Sequence, residues 1–231
     1  MRLAEAVLAT GTPVVLVLFQ GRAYTLPETL RSAGAILVAS YGGPAGPAAV
    51  AEVLFGVVNP SGKLPYTIPV HGGQVPVYHH QSAGSGQRME LPPGRDRLYL
   101  DHPATPAWAF GHGLSYTQFA LSDLVCDAEI DTGGRAGIAA TVTNSGDRAG
   151  ATVVQLYARV NAFGVTRPVQ QLVGFARVDL AAGQSRRITF DLDATQLGYT
   201  NLAREFAVEP ARVDLFFTEV TADEVVGAAG A

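Results

Sequence analysis

The sequence has a single cysteine, Cys126, so no disulfide can close within the chain and no cysteine-based metal site can be assembled. It also lacks concentrated positive charge: 16 Lys and Arg stand against 20 Asp and Glu, a formal net charge of −4 at pH 7. Recognition of DNA, RNA or an anionic membrane calls for clustered Lys and Arg, so nucleic acid is not an expected partner. The longest apolar run, Val14 to Phe19, falls far short of the ~20 residues that cross a bilayer, and no membrane partner is expected. The N-terminus, Met1-Arg2-Leu3-Ala4-Glu5-Ala6-Val7, carries an acid early and meets Thr10-Gly11-Thr12-Pro13 before a secretory apolar core can form. No signal peptide is visible, and the compartment stays open.

Familiar catalytic and cofactor patterns are scarce as well. His71, His79, His80, His102 and His112 include no helical i,i+4 pair, and His79-His80 on a strand would point to opposite faces, so no metal is expected. Ser115 lacks a G-x-S-x-G setting and leads into a β region, where a hydrolase nucleophile needs a following helix. Gly42-Gly43-Pro44-Ala45-Gly46 sits between a strand and a helix, but Pro44 and Pro47 remove two N–H donors from any phosphate cradle. The expected cofactor is none.

What is present is enough apolar residue, 48% of 231 positions, to bury one large core or two small ones, and two are favoured. Residues 3–9 read as the tail of a helix. Val14-Val15-Leu16-Val17-Leu18-Phe19 and Ala35-Ile36-Leu37-Val38-Ala39 read as strands apolar on both faces, the kind buried inside a parallel sheet. Leu26 to Ala33 and Ala48 to Phe55 are helical, the second with Val50, Val53 and Leu54 on one side. From Gly56 to Leu114 eight prolines, from Pro60 to Pro106, interrupt every stretch and exclude a long helix. That length of irregular chain is expected to be an ordered strap over its neighbours. From Tyr116 on, alternation in Ile138–Thr143, Thr152–Tyr157 and Arg187–Leu192, with turns at Asn144–Asp147 and Ala181–Gln184, predicts short strands of an immunoglobulin-like sandwich.

Particular motifs narrow this. Ala51-Glu52-Val53-Leu54-Phe55-Gly56-Val57-Val58-Asn59-Pro60-Ser61-Gly62-Lys63-Leu64-Pro65 resembles the ADVLFG-x-x-NPSGKLP segment of family 3 glycoside hydrolases. Tyr99-Leu100-Asp101 and Trp108-Ala109-Phe110-Gly111-His112-Gly113-Leu114-Ser115-Tyr116-Thr117-Gln118-Phe119 resemble the family's YxD and PFGHGLSYTxF region. Gly21-Arg22-Ala23-Tyr24 is similar to its G-R-P-Y, and Val142–Gly150, Val154-Gln155-Leu156-Tyr157 and Leu172-Val173-Gly174-Phe175 match its C-terminal domain in order. Each motif also has a conformational reading. Gly56 ends a helix, Asn59-Pro60-Ser61-Gly62 turns, and Gly111 and Gly113 let the strap bend before the sandwich.

The resemblance implies an α/β plus all-β fold: a partial α/β sandwich domain over 1–66, a Pro/Gly-rich linker strap over 67–115, and a fibronectin type III-like β-sandwich over 116–231. It implies β-glucosidase or β-xylosidase lineage, and also what this chain should lack. Intact family members carry a (β/α)8 barrel with the nucleophilic aspartate, followed by an α/β sandwich that supplies the acid/base. Retaining glycosidases need two carboxyl groups ~5–5.5 Å apart, and no counterpart of either is found before Val14. At Ser40-Tyr41-Gly42-Gly43-Pro44-Ala45-Gly46-Pro47, where relatives read W-Y/F-P-G-Q-E-G-G, the aromatic and acidic positions are Ser40 and Ala45.

No catalytic residue is therefore assigned. Candidate substrate-binding residues are Asp96, Asp101, Tyr99 and Trp108 in the strap, with Tyr78 as a further stacking surface and Trp108 and Phe110 equally able to act as anchors. Three functions follow: a non-catalytic C-terminal portion of a hydrolase, a free-standing carbohydrate-binding or protein-interaction module, and a minimal glycosidase using strap carboxylates. The expected partners are a barrel-containing polypeptide or a β-linked glycoside. A sheet begun in mid-domain leaves apolar surface uncovered, so a homo-oligomer formed through the α/β surface is also expected.

Overall fold

A computed structural model describes residues 2–82, 105–161, 164–218 and 226–229. The chain opens with α1 (Arg2–Leu8), β1 (Val15–Leu18), α2 (Glu28–Arg31), β2 (Ala35–Val38) and α3 (Gly46–Leu54). β1 and β2 pair in parallel, Val15 beside Ala35 through Leu18 beside Val38. The expectation of strands buried on both faces is not met. Three residues of each strand are half-buried and the first is exposed, because among the described residues this sheet has two strands and each is an edge. Val15, Phe19, Tyr41, Phe55 and Val57 are all exposed apolar or aromatic side chains of this unit. No helix among the described residues is long and apolar enough to cross a membrane.

α3 stops as its sequence dictates. Phe55 caps the helix, Gly56 follows at φ +73°, the Gly56 N–H bonds Val53 O and the Val57 N–H bonds Glu52 O. That is the Schellman arrangement, in which a left-handed glycine satisfies carbonyls the last turn leaves open.

The second half is a two-sheet sandwich. β3 (Phe119–Cys126), β4 (Arg135–Asn144) and β7 (Ser185–Asp193) form one antiparallel sheet. β5 (Gly150–Asn161), β6 (Gln171–Leu180), β10 (Arg212–Thr218) and β11 (Val226–Ala229) form the other, in the order β11-β10-β5-β6. A small ribbon of β8 (Tyr199–Thr200) and β9 (Phe206–Ala207) lies between β7 and β10 in the chain. Every second residue of β4 (Ala136, Ile138, Ala140, Val142) meets every second residue of β5 (Val154, Leu156, Ala158, Val160), with Val178, Ile188, Leu192 and Phe217 closing the core. Complete burial of such a side chain is worth about 1.5–3 kcal/mol, which makes this layer the main source of stability.

At one end of the sandwich Asn144, 0% exposed, ties three segments together. Its Oδ1 accepts from Thr117 Oγ1 at 2.7 Å and from the Gly146 N–H at 3.1 Å, while its Nδ2 donates to Arg148 O and Leu180 O. The Asn144–Asp147 turn predicted from sequence thus carries a buried amide network as well as a change of direction.

Candidate functional site: an aromatic cleft under the strap

The described parts of the strap run along the outer face of β5. Residues 64–68 and 107–112 pair with each other: Leu64 N–H to His112 O, Gly111 N–H to Leu64 O, and reciprocal bonds between Ile68 and Trp108. Gln74, fully buried, staples the arms together by accepting from the Val70 N–H and donating to Thr105 O.

The strap is fixed at both ends. Asn59, in a segment predicted to turn, acts through its side chain instead. Its Oδ1 accepts from Ser115 Oγ and the Tyr116 N–H, and its Nδ2 reaches Ala151 O at 3.3 Å. Tyr116 in turn donates its hydroxyl to Val53 O in α3, and Arg148 donates to Gly56 O. The Ser115 hydroxyl is therefore occupied in a structural bond. Gly111 has φ +84°, and a Cβ there would lie 2.4 Å from Gln155 Oε1, so glycine is required twice over. Gly113 is needed for close approach, since a Cβ would meet Gly62 O at 2.4 Å.

Gln155 and Tyr157 point away from the sandwich core, yet they are 4% and 2% exposed because the strap covers them. Gln155 Nε2 donates to Gly111 O and its Oε1 accepts from the Tyr157 hydroxyl at 2.7 Å. His79 stacks on Phe110 with ring centroids 3.9 Å apart and meets Tyr157 edge-on at 6.4 Å. Burial, and secondarily the neighbouring His80, lowers the His79 pKa from 6.5 to about 4, leaving the ring neutral at pH 7. His112 is also shifted down, first by burial and then by Lys63. His79 and His80 do not face opposite sides of a strand: they lie in a turn, with rings 4.7 Å apart, because the chain bends there.

Between this strap and the loop after β1 lies a cleft of about 750 Å3. Its lining includes Arg22, Tyr24, Tyr66, Tyr78, His79 and Phe110, and no carboxylate is among its described lining residues. The Arg22 guanidinium lies 5.3 Å from the centre of the Tyr24 ring, and its Nε donates to the Tyr24 hydroxyl at 3.3 Å. A smaller hollow of about 180 Å3 lies beside Tyr199 and Glu209, whose side chains bond each other at 2.6 Å.

Of the sequence-predicted binding residues, Asp96, Tyr99 and Asp101 lie outside the described residues. Trp108 is half-buried and held by its backbone against Ile68; it does not line the cleft. Tyr78 does, together with Arg22 and Tyr24 of the G-R-A-Y motif and with Tyr66, whose place in a ligand-sized space was not foreseen. Aromatic content, 8% of the chain, does not single them out; which ones converge depends on how the strap folds back. Among the described residues no three His, Cys, Asp or Glu side chains are grouped to hold a metal ion. Its described lining residues offer aromatic faces, hydroxyls and a guanidinium, and no carboxyl pair for general acid and base work is among them.

An open α/β unit strapped to a fibronectin type III-like sandwich defines the class of protein. The chain belongs to glycosyl hydrolase family 3: residues 1–116 match the family's C-terminal domain, and residues 152–219 match a fibronectin type III-like domain. It is 38% identical over 216 residues to the periplasmic beta-glucosidase of Salmonella typhimurium, covering 93% of this chain and 28% of that protein. It is 36% identical to a beta-xylosidase of Formosa agariphila, covering 90% of this chain and 28% of the relative. The crystal structure of a beta-glucosidase from Listeria innocua in complex with gluconolactone superposes with a TM-score of 0.87 at 32% identity, over 94% of this chain and 30% of that one. The chain thus corresponds to one C-terminal part of larger family 3 polypeptides and spans less than a third of their length.

Proposed function

We propose that this chain serves a β-glucosidase-like family 3 hydrolase as a non-catalytic portion, supplying structure, an active-site wall or subunit contacts to a barrel-bearing polypeptide that acts on β-linked glycosides. In this reading residues 1–66 complete an α/β sandwich, residues 67–115 strap it down, and residues 116–231 form the fibronectin type III-like domain. The observation that carries the reading is the exposure of large apolar side chains on the α/β unit. Phe19 is 58% exposed, Phe55 85% and Val57 74%, an apolar surface of the kind that is covered by a partner. Buried Gln20, at the end of β1, has an Nε2 with no acceptor among the described residues, which suits a missing neighbour. The same surface supports pairing between copies of this chain when no such partner is present.

The test combines the purified chain with a family 3 β-glucosidase truncated before its own C-terminal region and follows p-nitrophenyl β-D-glucopyranoside hydrolysis. The chain alone should be inactive, the mixture active, and Phe19→Asp should abolish the gain. Turnover by the isolated chain, lost on Asp96→Asn or Asp101→Asn, would instead establish a minimal glycosidase that uses strap carboxylates.

A further inference from the structure

We propose that His79 and His80 form a two-imidazole chelate, seated on the turn of the strap, for a divalent transition-metal ion of the zinc type. On a strand this doublet would point to opposite faces, but in the turn its rings converge. Nδ1 of His79 lies 3.5 Å from Nδ1 of His80. Zinc binds imidazole nitrogen at ~2.0–2.1 Å, so one ion bonded to both atoms would subtend ~117°, near the ~109° of a tetrahedral site. The separation exceeds the ~2.7–3.2 Å of an ordinary N–H hydrogen bond, so a proton shared between the rings holds them weakly. An ion placed there takes over that role. The ring that donated from Nδ1 then carries its proton on Nε2, a change of tautomer with no net loss of a proton.

Both donors are braced before an ion arrives. The His79 ring lies on Phe110 with planes 15° apart and meets Tyr157 edge-on, while His80 stacks on Tyr78 with centroids 5.5 Å apart. The turn is fixed on either side as well. Val77 is buried before it, and after it Gln81 O accepts from the Val169 N–H at 2.8 Å and Ser82 pairs with Pro168. Little ordering therefore accompanies binding, and the second metal bond is intramolecular, an advantage of ~10²–10⁴ in affinity over a single donor. His79 is half-buried and His80 exposed, so the ion enters from solvent and water reaches its other positions. Imidazole nitrogen selects zinc, nickel and copper over magnesium and calcium, which take oxygen donors. A bound ion holds the turn in its folded geometry and stabilises the chain by mass action.

The test uses the full chain at pH 7.5, free of any affinity tag and of chelator. Zinc chloride and nickel chloride are titrated by calorimetry, with magnesium chloride as the rival ion, and NMR of the imidazole nitrogens reports which atoms coordinate. Zinc should shift the Nδ1 signals of His79 and His80 and raise Tm, and magnesium should do neither. His80→Ala, at an exposed position, should weaken zinc binding at least about tenfold. His79→Phe, which keeps a ring against Phe110, should do the same, and circular dichroism establishes that both variants are folded. The proposal is overturned if the folded chain takes up neither zinc nor nickel, if zinc binds while the His79 and His80 signals stay in place, if both variants bind as tightly as the natural chain, or if magnesium displaces zinc. Complementation of a truncated enzyme reads the α/β surface and this titration reads the strap turn, so failure of one is distinguishable from failure of the other.

Discussion

Acidification should loosen the strap through His79, and the size of the effect can be worked from its surroundings. The ring is pressed against Phe110 and Tyr157, and its pKa falls from 6.5 to about 4 through burial first and His80 second. The unfolded chain therefore binds more protons than the folded one between those two values. Stability contributed by the neutral ring is complete above pH 6.5 and is lost as the pH falls towards 4. Linkage over the step from pH 7 to pH 5 gives about 2 kcal/mol for an unscreened group, and solvent screening of this half-buried ring reduces that to about 1 kcal/mol. Urea denaturation followed by Trp108 fluorescence suits the measurement, because Trp108 is the chain's one tryptophan and lies in the strap. His79→Phe keeps an aromatic ring against Phe110 but cannot titrate. Its stability should fall less than that of the natural chain between pH 7 and pH 5, by about 1 kcal/mol. His112, shifted in the same direction, is common to both proteins and cancels in the comparison. The lowered carboxylates Asp193, at about 2, and Asp214 act below this window. Equal pH slopes for the two proteins would refute the reasoning.

Two further outcomes test the architecture. Asn144→Ala removes four hydrogen bonds at a fully buried site and leaves carbonyls and donors stranded, so it should cost about 3 kcal/mol in chemical denaturation; a loss under about 1 kcal/mol would show that the network adds little. The open α/β face should drive concentration-dependent self-association in sedimentation velocity, reduced by Phe55→Asp; a strictly monomeric profile at high concentration would count against that face as a contact surface.

Much of the fold could be read from local pattern. The alternating segments Ile138–Thr143, Thr152–Tyr157 and Arg187–Leu192 fall inside β4, β5 and β7, because a period of two is written into consecutive residues wherever one face is buried. The strand and helix candidates between Val14 and Phe55 are recovered with ends shifted by at most two residues, α3 starting two residues earlier at Gly46, and Gly56 stops α3 where a left-handed residue is needed. The reading failed where partners are distant. Asn59-Pro60 carries the composition of a turn, but the Asn59 amide is committed to groups 57 and 92 residues away, which nothing in its neighbourhood announces. His79-His80, which on a strand would point to opposite faces, lies in a turn that brings the two rings together. The burial of Gln155 and Tyr157 on the outer side of β5 follows from a strap laid there by another part of the chain.

The sequence by itself determined the family, the two kinds of layer, the glycine-permitted turns and the scarcity of catalytic carboxylates, since each depends on residue identity or short-range spacing. Tertiary structure alone decided which aromatics share a cleft, bringing Tyr24, Tyr66, Tyr78 and Phe110 together and leaving Trp108 outside. It also decided which apolar residues stay uncovered on the α/β unit. Both are matters of long-range packing: a side chain's surroundings are set by the segments that fold back over it, and those lie dozens of residues away.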